Sequence, residues 1–304
     1  MFQLNHMLAD CPVVLLDGAV GTELTRRGVS TQLPLWSAAA LETHPDVVLQ
    51  IHRDYVAAGA QIITANSFRT TTFSYAAAGM EPPDARRKAY QMTRRAVDLA
   101  RQAVNGNPAW VAGSMAPVAD CYTPGDYPGR EVAARTYGEL AGWLAEAGVD
   151  LLLLETQITL EELQVALQAA IAAGLPVLVS FLAGSDMRLL GGAPLAEAVA
   201  LAESEGAEGV LVNCVTLETA DAIVPSLRTL TTLPLGIYAN AGISPPKKDG
   251  TIDHAHSDKR FAESVAHWID NGVSMVGGCC GTTPETIAAL RKVLSRLDPG
   301  RQRV

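Results

Sequence analysis

Short apolar runs recur along the chain at 13–16 (Val-Val-Leu-Leu), 61–65, 109–113, 150–154, 176–181, 209–213, 235–239 and 274–278. They are continuous rather than alternating, which is the pattern of strands covered on both faces, as in a parallel sheet. Between them lie amphipathic stretches near 45–58, 84–104, 131–147, 159–172, 194–205, 218–230, 258–271 and 284–297. Several of these close on a glycine (Gly59, Gly148, Gly174, Gly272) where a left-handed cap is wanted before the next strand. The last one opens on Thr283-Pro284-Glu285, a capping residue, a proline suited to the first helical position and an acid for the first turn. Eight such strand–helix units predict a single (β/α)₈ TIM barrel over residues 1–304, with its core at about 12–297 and its active site at the C-terminal strand ends. The alternative, a doubly wound open sheet, lacks the Gly-x-Gly-x-x-Gly turn that would support it.

No linker or low-complexity tract divides the chain. Three long loops are expected, Thr22 to Trp36 after the first strand, Asp120 to Gly129 after the third, and Asn240 to His256 after the seventh.

Composition narrows the function. With 48% hydrophobic and 18% charged residues, 304 residues suffice for a large core. A net charge of −9 without a strong basic cluster argues against nucleic acid or an anionic membrane as partner. The N-terminal stretch does not read as a signal peptide, and no run is long enough to span a bilayer. Five cysteines at irregular spacing argue against a disulfide framework and for a reducing cytoplasm.

In a barrel, side chains at the C-terminal strand ends converge on one mouth. Those positions read Asp17, Asn66, Ser114, Glu155, Cys214, Asn240, and Cys279 with Cys280. Two adjacent cysteines inside Gly277-Gly278-Cys279-Cys280-Gly281 stand out, because neighbouring strand residues face opposite ways and both sulfurs meet only if the backbone turns there. With Cys214 they would form a three-thiolate zinc site whose fourth position stays open. The bland alternative is three separate buried thiols. Asp17 and Glu155 are acids at the mouth, suited to an ammonium, and Gly18 exposes backbone N–H groups to a carboxylate. Asp17 as a simple turn cap remains open. Trp36 either paves a binding surface or packs. His254 and His256 read as a solvated pair, and His44, His52 and His267 as ordinary helix positions. Cys11 and Cys121 stand outside the set, with Cys121 in a loop near the mouth.

Asp17-Gly18-Ala19-Val20-Gly21-Thr22-Glu23-Leu24, Asn213-Cys214 and Gly277-Gly278-Cys279-Cys280-Gly281-Thr282-Thr283-Pro284 resemble the zinc-dependent homocysteine S-methyltransferases, over about residues 12 to 295. The resemblance implies that Cys214, Cys279 and Cys280 hold Zn²⁺, that Asp17 and Glu155 hold the homocysteine amino group, and that homocysteine and a methyl donor are the partners. Betaine users of this family carry a tyrosine after the matching glutamate, where this chain has Thr156. Leu35-Trp36-Ser37-Ala38 is similar to the users of S-methylmethionine and S-adenosylmethionine, and a sulfonium over Trp36 is physically sensible. Tyr238-Ala239-Asn240-Ala241-Gly242 and Asn66-Ser67-Phe68-Arg69-Thr70 depart from that pattern. A corrinoid protein or methylfolate as donor, another thiol or a selenol as acceptor, and a non-catalytic zinc barrel stand as alternatives.

Overall fold

A computed structural model describes residues 13–244 and 255–297, together with Leu4, Leu8, Cys11 and Ile252. Among the described residues the apolar runs become eight parallel strands: β1 (Val14–Leu15), β2 (Ile62–Ala65), β3 (Trp110–Met115), β4 (Leu151–Gln157), β5 (Val177–Phe181), β6 (Gly209–Asn213), β7 (Leu235–Ala239) and β8 (Val273–Gly278). From β2 to β8 each strand pairs with the next, β1 pairs with β8, and a parallel bridge from Leu16 to Ile62 closes the ring between β1 and β2. The amphipathic stretches form the outer layer: α1 (Pro45–Ala57), α2 (Pro82–Val104), α3 (Arg130–Ala147), α4 (Leu160–Ala172), α5 (Leu195–Glu205), α6 (Leu217–Leu230), α7 (Asp258–Asp270) and α8 (Pro284–Leu297). This is the (β/α)₈ barrel that the pattern predicts.

The expected punctuation is in place. Gly148 ends α3 in the left-handed region at φ 83°, a conformation that costs a side-chain-bearing residue and costs glycine little. Thr283 accepts a hydrogen bond from the Thr286 N–H at 3.3 Å, so the stretch after the paired cysteines does open a helix, with Pro284 as its first residue.

One expectation is corrected. The loop predicted over Thr22 to Trp36 is not irregular throughout, because a helix at Val20–Arg26 occupies its first part and a 3₁₀ turn begins at Trp36. Seven residues are too few to be stable alone or to show apolar periodicity. Local and tertiary charge hold this helix: buried Glu23 accepts from Arg26 at 2.7 and 2.6 Å and from Arg27 at 2.9 and 2.7 Å one turn on, and Arg27 reaches Asp54 on α1 at 2.7 Å. Of the long loop after β7, residues 245–251, 253 and 254 (His254 among them) lie outside the described residues; His256 stands 3.2 Å from a Glu218 carboxylate oxygen.

The core has two compartments. The larger lies between sheet and helices, and the smaller fills the barrel, where Val14, Leu16, Ile62, Ala112, Leu153 and Leu211 meet. Leu4 joins the inner cluster beside Gly209, at the N-terminal end of the barrel. Because successive strand residues alternate between faces, the inward position two residues on is fixed by geometry. It changes character toward the C-terminal end: Ile62 is followed by Thr64, Ala112 by Ser114, Leu153 by Glu155, Leu178 by Ser180 and Leu211 by Asn213. The barrel is therefore oily below and polar at its mouth. His52 on α1 is a buried core histidine with neither ring nitrogen hydrogen-bonded, and burial lowers its pKa to about 4. Among the described residues no helix is long and apolar enough to cross a membrane.

Two glycines give opposite stability tests. A Cβ at Gly277 would lie 2.7 Å from Leu16 Cβ and 3.0 Å from the Asp17 carbonyl oxygen, so Gly277→Ala should lose about 1–3 kcal/mol by overpacking the seam between β1 and β8. Gly138 sits exposed inside α3 with open space where a Cβ would go. Gly138→Ala should gain about 0.5–1 kcal/mol through helix propensity. Urea unfolding of both variants reads the signs.

Candidate metal centre and substrate cavity

β6 and β8 deliver the sulfurs. Cys214 follows β6 at φ 57°, a positive value that costs a non-glycine residue about 1–3 kcal/mol and is typical of positions under functional constraint. Cys279 continues the ladder of β8, donating its N–H to the Ala239 carbonyl at 2.8 Å. The chain then turns: the Thr282 N–H and hydroxyl both donate to the Cys279 carbonyl, at 3.1 and 2.7 Å, and Gly281 adopts φ 80°. Asn240 supports the turn from behind by accepting the Cys280 N–H at 3.0 Å. The turn brings the Cys280 sulfur back beside that of Cys279.

The result is three sulfurs within 4.8 Å of one another, with Cys214 and Cys279 at 2.9 Å. Cys279 has a pKa well below the ordinary thiol value, first because Cys214 donates to it and then because Cys280 does; donating raises Cys214 well above that value. Three soft donors crowded at one point, with a negative charge already favoured among them, fit a thiophilic cation. Cys121, in the loop after β3, is a buried thiol pushed up to about 12 by burial, and it lines the same cavity without joining the sulfur cluster.

That cavity measures about 370 Å³, within the range of small-molecule sites. Asp17 lies just past β1, where its carboxylate accepts from the Thr64 N–H at 2.7 Å and the Thr64 hydroxyl at 3.0 Å. Burial is the largest influence on it and raises its pKa from 3.8 to about 8, against the two Thr64 bonds. Glu155 points inward from β4, accepting from the Ser114 hydroxyl and from Tyr238 at 3.2 Å. Burial raises its pKa from 4.5 to about 7, opposed by Ser114 and aided by the charge on Cys279. No basic side chain pairs with either acid among the described residues. Two carboxyls with raised pKa values in one cavity form a receptor that a cation would complete.

The remaining expected positions divide. Gly18 lines the cavity beside Asp17, where a Cβ would meet Tyr55 and Thr282 at 2.8 Å. Ser114 is present but serves Glu155. Asn66 spends its amide on Ser37, accepting from the hydroxyl at 2.6 Å and donating to the carbonyl at 2.9 Å, which anchors the turn that carries Trp36. Asn240 stands behind the cysteines rather than on the cavity wall. Trp36 does line the cavity, at φ 47°, with its ring edge-to-face against Phe68 at 5.5 Å and packed over Gly21.

Sequence reading missed Thr64, Tyr238, Phe68 and Arg69, all of which line the cavity. Thr64 and Tyr238 carried one signal, a polar group at an inward-facing position in the last turn of an apolar strand. It also missed the brace behind Thr156, which sits at φ 56°. Asn213 accepts the Thr156 N–H at 3.0 Å and the Ser180 hydroxyl at 2.6 Å, and donates to the Thr156 hydroxyl at 3.1 Å.

Comparison with known proteins agrees with this geometry. The homocysteine S-methyltransferase family model matches residues 14–294. Homocysteine S-methyltransferase of Escherichia coli is 33% identical, covering 95% of this chain and 97% of that protein. Selenocysteine Se-methyltransferase of Brassica oleracea is 29% identical over 92% of this chain and 88% of its own length. The metallated crystal structure of the E. coli homocysteine methyltransferase MmuM superposes with a TM-score of 0.82 at 31% identity, covering 95% of this chain and 99% of that one. Its apo form superposes at 0.76 with 30% identity and the same coverage. The chain belongs to the homocysteine S-methyltransferase family.

Proposed function

We propose that this protein transfers a methyl group to the thiol of L-homocysteine, giving methionine, with zinc held by Cys214, Cys279 and Cys280. The observation that carries the reading is the sharing of one cavity by three clustered sulfurs and two buried, unpaired carboxyls. A thiol-bearing amino acid needs both halves. A relative of the same fold that is described as metallated, together with three sulfurs clustered at one point, supports a metal at the sulfurs. Zinc would supply a Lewis acid that favours the thiolate form of a fourth sulfur ligand at neutral pH.

The chain's own residues do the rest. Asp17 and Glu155 take the homocysteine ammonium between them, and Thr64, Ser114 and Tyr238 fix the two carboxyls in advance, so little side-chain freedom is lost on binding. Gly18 leaves backbone free to approach the substrate carboxylate. Trp36 and Phe68, on the loops after β1 and β2, line the same cavity with electron-rich rings that suit a sulfonium, so the donor is S-methylmethionine or S-adenosylmethionine. In-line transfer needs the acceptor sulfur and the methyl carbon held at contact distance, and positioning of this kind is the protein's main share of the rate. The bonding pair stays with the departing sulfur, leaving a neutral thioether. A selenol acceptor is the second reading, favoured by the similarity to the Brassica selenocysteine enzyme. Five free cysteines, three of them in an open cluster, suit the reducing cytoplasm.

Cysteine variants test the metal. Cys279→Ala should lose bound zinc and more than ~100-fold in activity, beyond the ~10–100-fold that altering a neighbour of a metal ligand costs. Circular dichroism should stay that of the folded barrel, because Cys279 only borders the inner core cluster and its backbone bond to β7 does not depend on the sulfur. Chelation of the wild type should remove activity, and added zinc should restore it.

Asp17→Asn should raise the KM for homocysteine by ~10- to 100-fold, the worth of a lost charge-assisted contact. Stability should move the other way with pH. A carboxyl raised to about 8 contributes stability fully below its unfolded value near 4 and loses it as pH rises toward 8. The melting temperature of the ligand-free wild type should therefore fall between pH 5 and pH 9 more steeply than that of Asp17→Asn. Equal slopes would remove Asp17 as a buried, unpaired acid.

A further inference from the structure

Arg69 is the one basic side chain of the cavity wall among the described residues. It follows β2 by four residues and is 6% exposed, yet it lines the cavity that holds the sulfurs and the two acids. Its Nη1 donates to the Ala119 carbonyl at 2.6 Å, and its Nε is buried with no hydrogen-bond partner. No ion pair satisfies it among the described residues. The acids around it are committed elsewhere. Glu162 accepts from the Val118 N–H at 2.8 Å and Tyr137 at 2.9 Å, and Asp120 accepts from the Tyr122 N–H at 2.9 Å. The guanidinium carbon stands 5.5 Å from the Phe68 ring, whose other neighbour is Trp36. Glu162 feels the charge of Arg69 without bonding to it, and the remaining forked donors of the buried guanidinium match a carboxylate.

We infer that Arg69 is the anion receptor of the donor half of the cavity and binds a carboxylate on the methyl donor. The inference rests on the reading that the cavity takes homocysteine and a sulfonium donor together. The partners differ: the two acids are held by Thr64, Ser114 and Tyr238, whereas Arg69 lies against Phe68, which packs on Trp36, and is tied to the Ala119 carbonyl in the loop after β3. A fixed positive charge near a sulfonium repels it unless the same molecule brings a compensating negative group. Arg69 therefore admits zwitterionic donors and disfavours sulfonium compounds that lack a free carboxylate.

The test compares S-methylmethionine with its methyl ester, in which the carboxylate is capped, on the full-length zinc-loaded protein. Wild type should prefer the free acid by ~10-fold or more in kcat/KM, the worth of one charge-assisted pair. Arg69→Gln should lose that factor for the acid and not for the ester, Arg69→Lys should keep part of it, and the KM for homocysteine should change less than about twofold. The acid-to-ester comparison on wild type needs no variant, so it stands even if Arg69→Gln fails to fold. An unchanged acid-to-ester ratio in Arg69→Gln, or a shift in the KM for homocysteine in place of the donor's, overturns the assignment. If wild type turns over neither donor, tryptophan fluorescence titration with both compounds separates the two ideas. Binding that depends on the carboxylate and on Arg69 keeps the receptor and removes only the methyltransferase reading; binding indifferent to both removes the receptor.

Discussion

The site depends on the turn that ends β8. A strand sends consecutive side chains to opposite faces, so two adjacent cysteines cannot serve one point while the strand continues. The ladder therefore has to stop between them. Cys279 is still paired to β7 through Ala239, whereas its own carbonyl is taken by Thr282 from the next turn. Gly277 and Gly278 make the approach possible: a Cβ on the first would strike β1 at Leu16, and one on the second would strike Thr282. The seam is tied on its other side as well, since the Gly278 N–H donates to the Asp17 carbonyl and Ala19 donates to the Thr282 hydroxyl. One turn thus sets the positions of the paired sulfurs and of the acid that faces them.

A second cost lies in the carboxyls. Asp17 and Glu155 are given hydrogen bonds, which stabilise their charged forms, but no counter-ion, and burial outweighs those bonds in both. Packing alone would have favoured apolar residues at these positions, as it does two residues earlier on β4 at Leu153. The strain at Cys214, Thr156 and Trp36 belongs to the same account, because all three hold positive φ on the cavity wall. Unfavourable conformations and unpaired charge concentrate where a ligand would relieve them, and the rest of the barrel is ordinary oily packing.

Legibility in the sequence follows the range of the forces involved. Strands and helices were readable because their apolar period is local and repeated eight times, and the Gly-Gly-Cys-Cys-Gly turn was readable because adjacent cysteines need a special backbone. The Val20–Arg26 helix was not, since it is too short to show an apolar period and its docking, with Leu24 buried and Arg27 reaching Asp54, is tertiary. Asn66 and Asn240 stood at the expected strand ends, yet Asn66 lines the cavity with its amide spent on Ser37, and the Asn240 side-chain carbonyl oxygen accepts from the Cys280 N–H behind the wall. Strand-end position says that a side chain is near the mouth; only the three-dimensional partners say whether it faces the cavity or braces it.

That distinction separates two layers of the mouth with different freedom to vary. The sulfurs and acids stand on strand ends, where each is fixed by backbone ladders and by neighbours such as Thr64, Ser114 and Tyr238. Trp36, Phe68, Arg69 and Tyr122 stand on the loops after β1, β2 and β3, joined mainly to one another and to loop carbonyls. A change in the first layer disturbs the barrel seam. A change in the second alters only the charge and shape offered to whatever binds beyond the sulfurs. Loops at a barrel mouth can vary while the strand ends keep their positions, so the outer layer is where the shape and charge offered to a second ligand are set.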